Sequence, residues 1–77
     1  MPQISLDDIV TVLRHELSDA KLDALDNGYD SFETQLNSTR NPIALDGSSK
    51  PYGIINGMHR VYLARQKGYT SVPAEFI

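Results

Sequence analysis

Hydrophobic positions along the chain follow two rhythms. Over residues 6–17, Ile9, Val12, Leu13 and Leu17 recur at three- and four-residue intervals, the spacing that gathers apolar side chains on one helical face. This predicts an amphipathic helix over 6–17. Gln3-Ile4 suits a short opening strand before it. Ser5 suits the cap, with Asp8 three residues on and both acids in the first turn, where the helix dipole favours them. Ser18 predicts a second start, carrying Leu22 and Leu25 and ending at Asn27-Gly28, which tolerate a left-handed cap. Ser31 caps a short third helix with Phe32 and Leu36, and Asn41-Pro42 stops it, because proline disfavours a helical residue before it.

Beyond residue 42 the rhythm shortens. The apolar runs Ile43-Ala44-Leu45 and Tyr52-Gly53-Ile54-Ile55 flank a turn cluster from Asp46 to Pro51, which predicts a hairpin. Gly57 breaks the second run. Residues 58–67 suit a helix bearing Val61, Leu63 and Ala64, with Lys67 in the last turn and Gly68 as the end signal. Val72 to Ile77 reads as a final strand, and Pro73, lacking a donor, predicts an edge position or a strand start. The expected architecture is α+β: one domain over residues 1–77, a small mixed sheet of three to four short strands, and three to four helices. Residues 1–40 form its mainly helical half. Residues 41–77 hold the hairpin, a glycine-led helix and the last strand.

Composition narrows the function classes. The 77 residues are 40% hydrophobic and 22% charged, ordinary usage for a folded domain. There is no Cys, so disulfides, cysteine-based metal sites and thiol catalysis are excluded. Two His residues are too few for a structural zinc site, and no metal ligands are assigned. No apolar run approaches the roughly 18 residues of a membrane span, and MPQISLDD lacks a basic patch before an apolar core, so neither a membrane span nor a secretory signal is expected, no membrane partner is expected, and a cytoplasmic protein is. The net charge of −3 is unevenly spread: residues 1–40 carry eight acids and three bases, and residues 41–77 carry two acids and four bases. A monomer of this charge is a poor nucleic-acid binder, because phosphate neutralisation drives that binding. The acidic half reads first as solvated helix faces and second as a surface for a protein partner.

The candidate chemistry lies in Asn56-Gly57-Met58-His59-Arg60, where a strand gives way to a helix through one glycine. The opening amides of a helix lack internal partners and sit at its positive end, so such a turn is an anion site in waiting. Gly57 lets backbone approach a phosphate, Arg60 can grip its oxygens, and His59 can donate or exchange a proton near neutral pH. Lys50, in the preceding turn, could also reach a phosphate. The competing reading is two surface side chains beside a turn glycine. Tyr52, Tyr62 and Tyr69 read as partial core, His15 as surface, and Arg65 as pointing away from the anion.

The run PIALDGSSKPYGIINGMHRVYLARQKGYTSVPAEFI resembles the core of the ParB/sulfiredoxin superfamily. The matching pieces are Pro42-Ile43, Tyr52 to Ile55, Asn56 to Arg60, Ala64, Gly68 and Val72-Pro73-Ala74; ISLDDI and KLDAL match more loosely. The resemblance implies a nucleotide site. In sulfiredoxins the corresponding Gly-Gly-Cys-His-Arg turn holds ATP phosphates and its Cys does the chemistry. Met58 takes the Cys position here, so sulfinic acid reduction is excluded while His59 and Arg60 remain. In ParB partition proteins the similar element binds CTP, beside DNA-binding and dimerisation parts that these 77 residues do not include. Free serine kinases of the superfamily carry a Gly-His-His-Arg version and a catalytic Glu, for which Glu16 in HELSDAKLDAL is the positional candidate. Asn56 replaces an Asp found in many relatives, which bears against metal- or base-assisted chemistry.

Three functions are expected to compete. The first is binding of ATP, ADP or CTP, with Mg²⁺ where the nucleotide carries it, and phosphoryl transfer or hydrolysis through His59 and Glu16. The second is a non-catalytic phage- or plasmid-type interaction module that retains the fold. The third is a DNA-related role on the ParB side.

Overall fold

The computed structural model describes residues 1–77. Four strands, β1 (Gln3–Ser5), β2 (Ile43–Asp46), β3 (Gly53–Asn56) and β4 (Ser71–Phe76), form one mixed sheet in the order β1-β4-β2-β3. Strands β2 and β3 make the expected antiparallel hairpin, with a register shift between Ala44 and Leu45. Strand β4 runs parallel to β2 and antiparallel to β1. Three helices complete the chain: α1 (Asp19–Asn27), α2 (Phe32–Leu36) and α3 (Met58–Gln66). The fold is the α+β class that the sequence predicts.

Local signals account for the helix starts. Ser18 Oγ accepts from the Lys21 amide and Ser31 Oγ from the Thr34 amide, each satisfying a donor that the first turn would leave free. Gly68 closes α3 at φ 87°, in the left-handed region that glycine enters without a Cβ clash. Gly28, by contrast, is extended (φ −76°, ψ −179°) and does not form the left-handed cap. What it supplies is room, since a Cβ there would overlap the Ala24 carbonyl oxygen.

The predicted helix over 6–17 does not form. Leu6–Asp8 and Arg14–Glu16 are single 3₁₀ turns, and Ser5 caps the first by accepting from the Asp7 amide. The carbonyls and amides that helix hydrogen bonds would need go elsewhere. Val10 N–H donates to Tyr52 O, Tyr52 N–H donates to Asp8 O, and Ile9 bridges Tyr52 in parallel. Arg65 of α3 donates to the carbonyls of Leu6, Ile9 and Val10 at 2.7–3.1 Å. Leu6, Ile9 and Val12 are still buried, so the apolar spacing reports burial without helicity.

Pro73 does not lie at an edge either, because β4 has neighbours on both sides. Ala74 N–H faces β1, donating to Pro2 O. Alternation then turns the missing donor of Pro73 toward β2, where pairing begins only at Ala74.

One core joins these elements. Ile43, Leu45, Val72 and Ala74 of the sheet meet Val61 and Ala64 of α3, with Phe32 and Leu36 of α2 and Leu6, Ile9 and Val12 of the N-terminal segment. Tyr52 packs edge-to-face on Phe76 and Tyr69 on Phe32, so these two tyrosines are packing groups. Only 14 of 77 residues are buried, so each core side chain carries a large share of the stability. No helix is long and apolar enough to cross a membrane.

Candidate functional site

Helix α3 begins one residue after the β2–β3 hairpin ends. The junction is Gly57, at φ 101°. A side chain there would be strained by that angle, and its Cβ would lie 2.9 Å from Ile43 Cγ1 and 3.1 Å from Arg60 Nη2. Glycine is therefore required twice, by conformation and by close approach. No side chain caps α3 and no acid lies in its first turn, so the amides of Met58, His59 and Arg60 have no intrahelical partner.

A hollow of about 270 Å³ opens between this turn and α1. Asn56, Gly57, His59 and Arg60 form one wall, Lys21, Ala24 and Leu25 the other, with Gln35 and Asn41 beside them. A second hollow of about 200 Å³ adjoins it, sharing Lys21, Asn56, Gly57 and His59 and adding Met58, Ile54 and Ile55. Two cations, several amides and no carboxylate line these walls, although the whole chain carries a net charge of −3.

Arg60 is only 6% exposed. Its Nη1 donates to Asn41 O at 2.7 Å and to Gln35 O at 3.2 Å. Nη2 stands beside Gly57. Burial lowers the Arg60 pKa from its usual value, yet a guanidinium stays charged in proteins. The residue thus ties the α2–β2 connection to α3 with one edge and offers positive charge with the other.

His59 has a different commitment. Its Nε2 accepts from Ser18 N–H at 3.0 Å, which leaves the proton of the neutral ring on Nδ1. Burial, and then the nearby Lys21 ammonium, push the His59 pKa below 6.5. The ring is neutral at physiological pH, and the nitrogen that would act as a base is already occupied. Asn56 Nδ2 donates to Asn41 Oδ1 at 2.7 Å and to Pro42 O at 3.2 Å. In this place the amide braces the loop, a task that a carboxylate could not perform.

The structure therefore gathers Asn56, Gly57, Met58, His59 and Arg60 around the hollows, and it leaves out two expected members. Lys50 stays in the hairpin turn, 3.4 Å from Asp8 and 5.8 Å from the Tyr52 ring centre. Glu16 is exposed in its 3₁₀ turn and lines neither hollow. Lys21 is the member that sequence reasoning missed. It sits in KLDAL, 38 residues before His59, and only the docking of α1 on α3 brings it into place. Arg65 turns away to the N-terminal segment, as expected.

The largest hollow, about 510 Å³, lies elsewhere. Its only cation, Lys67, is 2.6 Å from Asp26, and Glu33 also lines it. Size thus favours one place and charge the other; for an anion, charge decides. No family model, curated protein or solved structure matches the chain.

Proposed function

We propose that the chain binds the phosphate groups of a small nucleotide (ATP, ADP or CTP, with Mg²⁺ where the nucleotide carries it) in the hollow between α1 and α3. The observation that carries this reading is the lining: Lys21 and the free edge of Arg60 beside an uncapped helix start, with no acid among the nine lining residues. Cations near a helix N-terminus oppose the dipole, and a bound anion would offset that cost. At about 270 Å³ the hollow falls just below the ~300 Å³ at which ligand-sized pockets begin. It admits phosphates and leaves the base and sugar at the surface. The resemblance of Asn56–Arg60 to the phosphate turn of the ParB/sulfiredoxin superfamily points the same way, and a cytoplasmic location is part of the same proposal.

Binding is better supported than phosphoryl transfer. Transfer needs a group to orient or deprotonate the acceptor. The Nε2 of His59 is held by Ser18, Glu16 lies outside, and no carboxylate lines the hollow. A nucleotide would then act as a fold-stabilising or signalling ligand. The thermal midpoint with each nucleotide tests this. A ligand at about 100 times its dissociation constant adds about 2.7 kcal/mol, roughly 10 °C or more for a chain of this size. The shift is expected to vanish in Lys21→Ala.

One observation favours a second reading. Both hydrogen bonds of Arg60 go to backbone carbonyls, which a purely scaffolding arginine would also make. The domain would then be an interaction module whose acidic half meets a protein partner. An unchanged midpoint with every nucleotide selects this reading.

A further inference from the structure

The two walls of the hollow are not held alike. Helix α1 has no buried residue; Leu22 and Leu25 are half-buried and the rest of the helix is exposed. Extended residues bracket it, Ser18 at φ −93°, ψ 127° and Gly28 at φ −76°, ψ −179°, so the helix joins the chain through non-helical backbone at both ends, with Leu25 packed on the core. Four polar ties reach it from elsewhere: Ser18 N–H to His59 Nε2 at 3.0 Å, Lys67 to Asp26 at 2.6 Å, Gln35 Nε2 to Leu25 O at 3.1 Å, and the exposed pair of Arg14 with Asp19. The Lys67–Asp26 pair is half-exposed, and such pairs contribute about 0–1 kcal/mol. The opposite wall cannot follow α1, because Arg60 is fixed on Asn41 and Gln35 and Val61 beside it is fully buried.

We propose that α1 is a clasp over the hollow, which opens when His59 takes up a proton and is drawn shut by an anion held between Lys21 and the start of α3. The second half rests on the anion reading above; the first half does not. A neutral imidazole accepts the Ser18 N–H. An imidazolium has donors on both nitrogens, so N–H would face N–H and the tie is lost. The charged group that acts on the ring is Lys21 from α1, and Arg60 from α3 lines the same hollow. Gln35, Asn41 and Asn56 are uncharged, and no carboxylate lines either hollow. The protonated ring thus meets the Lys21 ammonium and no carboxylate of the hollow, and α1 carries that cation away as it opens. A phosphate between Lys21 and His59 supplies the missing negative charge, so occupancy and protonation become linked. The depressed His59 pKa has this same origin in burial and Lys21.

Amide hydrogen exchange on the full chain tests both halves, with the α3 amides as internal reference and rates corrected for intrinsic chemistry. From about pH 7.5 to about pH 5.5, exchange over α1 is expected to accelerate roughly fivefold relative to α3, the effect of losing one hydrogen bond worth about 1 kcal/mol. His59→Gln offers Ser18 a non-titrating acceptor and is expected to abolish the acceleration. Inorganic phosphate at the lower pH should slow α1 exchange again, and not in Lys21→Ala. A constant α1-to-α3 ratio across pH, or full acceleration in His59→Gln, overturns the clasp even if phosphate protects. A normal pH response that phosphate leaves untouched overturns the anion half and the nucleotide reading, while the His59 tie stands.

Discussion

Helices α1 and α3 are both nine residues long and face each other across the same hollow, but different forces hold them. Helix α3 buries Arg60, Val61 and Ala64 and reaches with its two arginines to two different segments of the chain. Arg60 holds the α2–β2 connection, and Arg65 holds the N-terminal segment. Helix α1 fully buries no residue and rests on the half-buried Leu22 and Leu25, of which Leu25 packs on the core, with one cap and a few polar ties. The contrast teaches that one wall of the candidate site is anchored in the core and the other is held mainly at the surface. Substitutions on the two sides should therefore separate stability from binding.

The largest separation should come from Arg60→Ala set against Lys21→Ala. The first leaves two carbonyls without a donor and removes a buried side chain, costing about 2–4 kcal/mol of the roughly 4–12 kcal/mol expected for 77 residues. The second removes an exposed lysine and should change urea-unfolding stability by less than ~0.5 kcal/mol. Both should abolish phosphate binding. Equal stability losses would erase the distinction between the walls.

A smaller contrast sets Val61→Ala against Leu22→Ala. Val61 is 0% exposed, and its truncation should cost about 2 kcal/mol. Leu22 is only partly buried and should cost under ~1 kcal/mol although it loses more atoms. Equilibrium unfolding monitored by circular dichroism would measure both. Ser18→Ala comes next. Loss of a serine cap costs about 1 kcal/mol, and it should appear as faster amide exchange in α1 with α3 unchanged.

Much of this arrangement was legible beforehand. Ser18 and Ser31 mark their helices because a hydroxyl satisfies free amides in the next turn. The Asp46–Pro51 cluster marks the hairpin, and Gly57 and Gly68 mark the two ends of α3. All of these are local chemistry. What could not be read locally depends on partners far along the chain. Ile9 and Val12 have helical spacing, but Tyr52 and Arg65, more than 40 residues away, take the backbone groups a helix would use. Lys21 reads as one more solvated lysine until α1 docks on α3. The His59-Arg60 pair was visible as a pair, but its commitments to Ser18 N–H and to two carbonyls were not, because their partners lie 19 to 41 residues away.

The smallest expected effect is on pH dependence. The folded state depresses the His59 pKa below 6.5, so the unfolded chain binds the proton more readily. Stability from this group is full above 6.5 and declines as pH falls through the window beneath it. Urea midpoints for the wild type and His59→Gln should diverge in that window and coincide above it.

The most direct measurement is a titration of the ¹⁵N-labelled chain with ATP and with CTP, followed by amide shift changes. The nucleotide reading predicts saturable changes at Gly57, Met58, His59 and Arg60 and across the hollow at Lys21, lost in Lys21→Ala. Changes confined to the larger hollow around Gln3, Lys67 and Ser71, or no changes with either nucleotide, would contradict it.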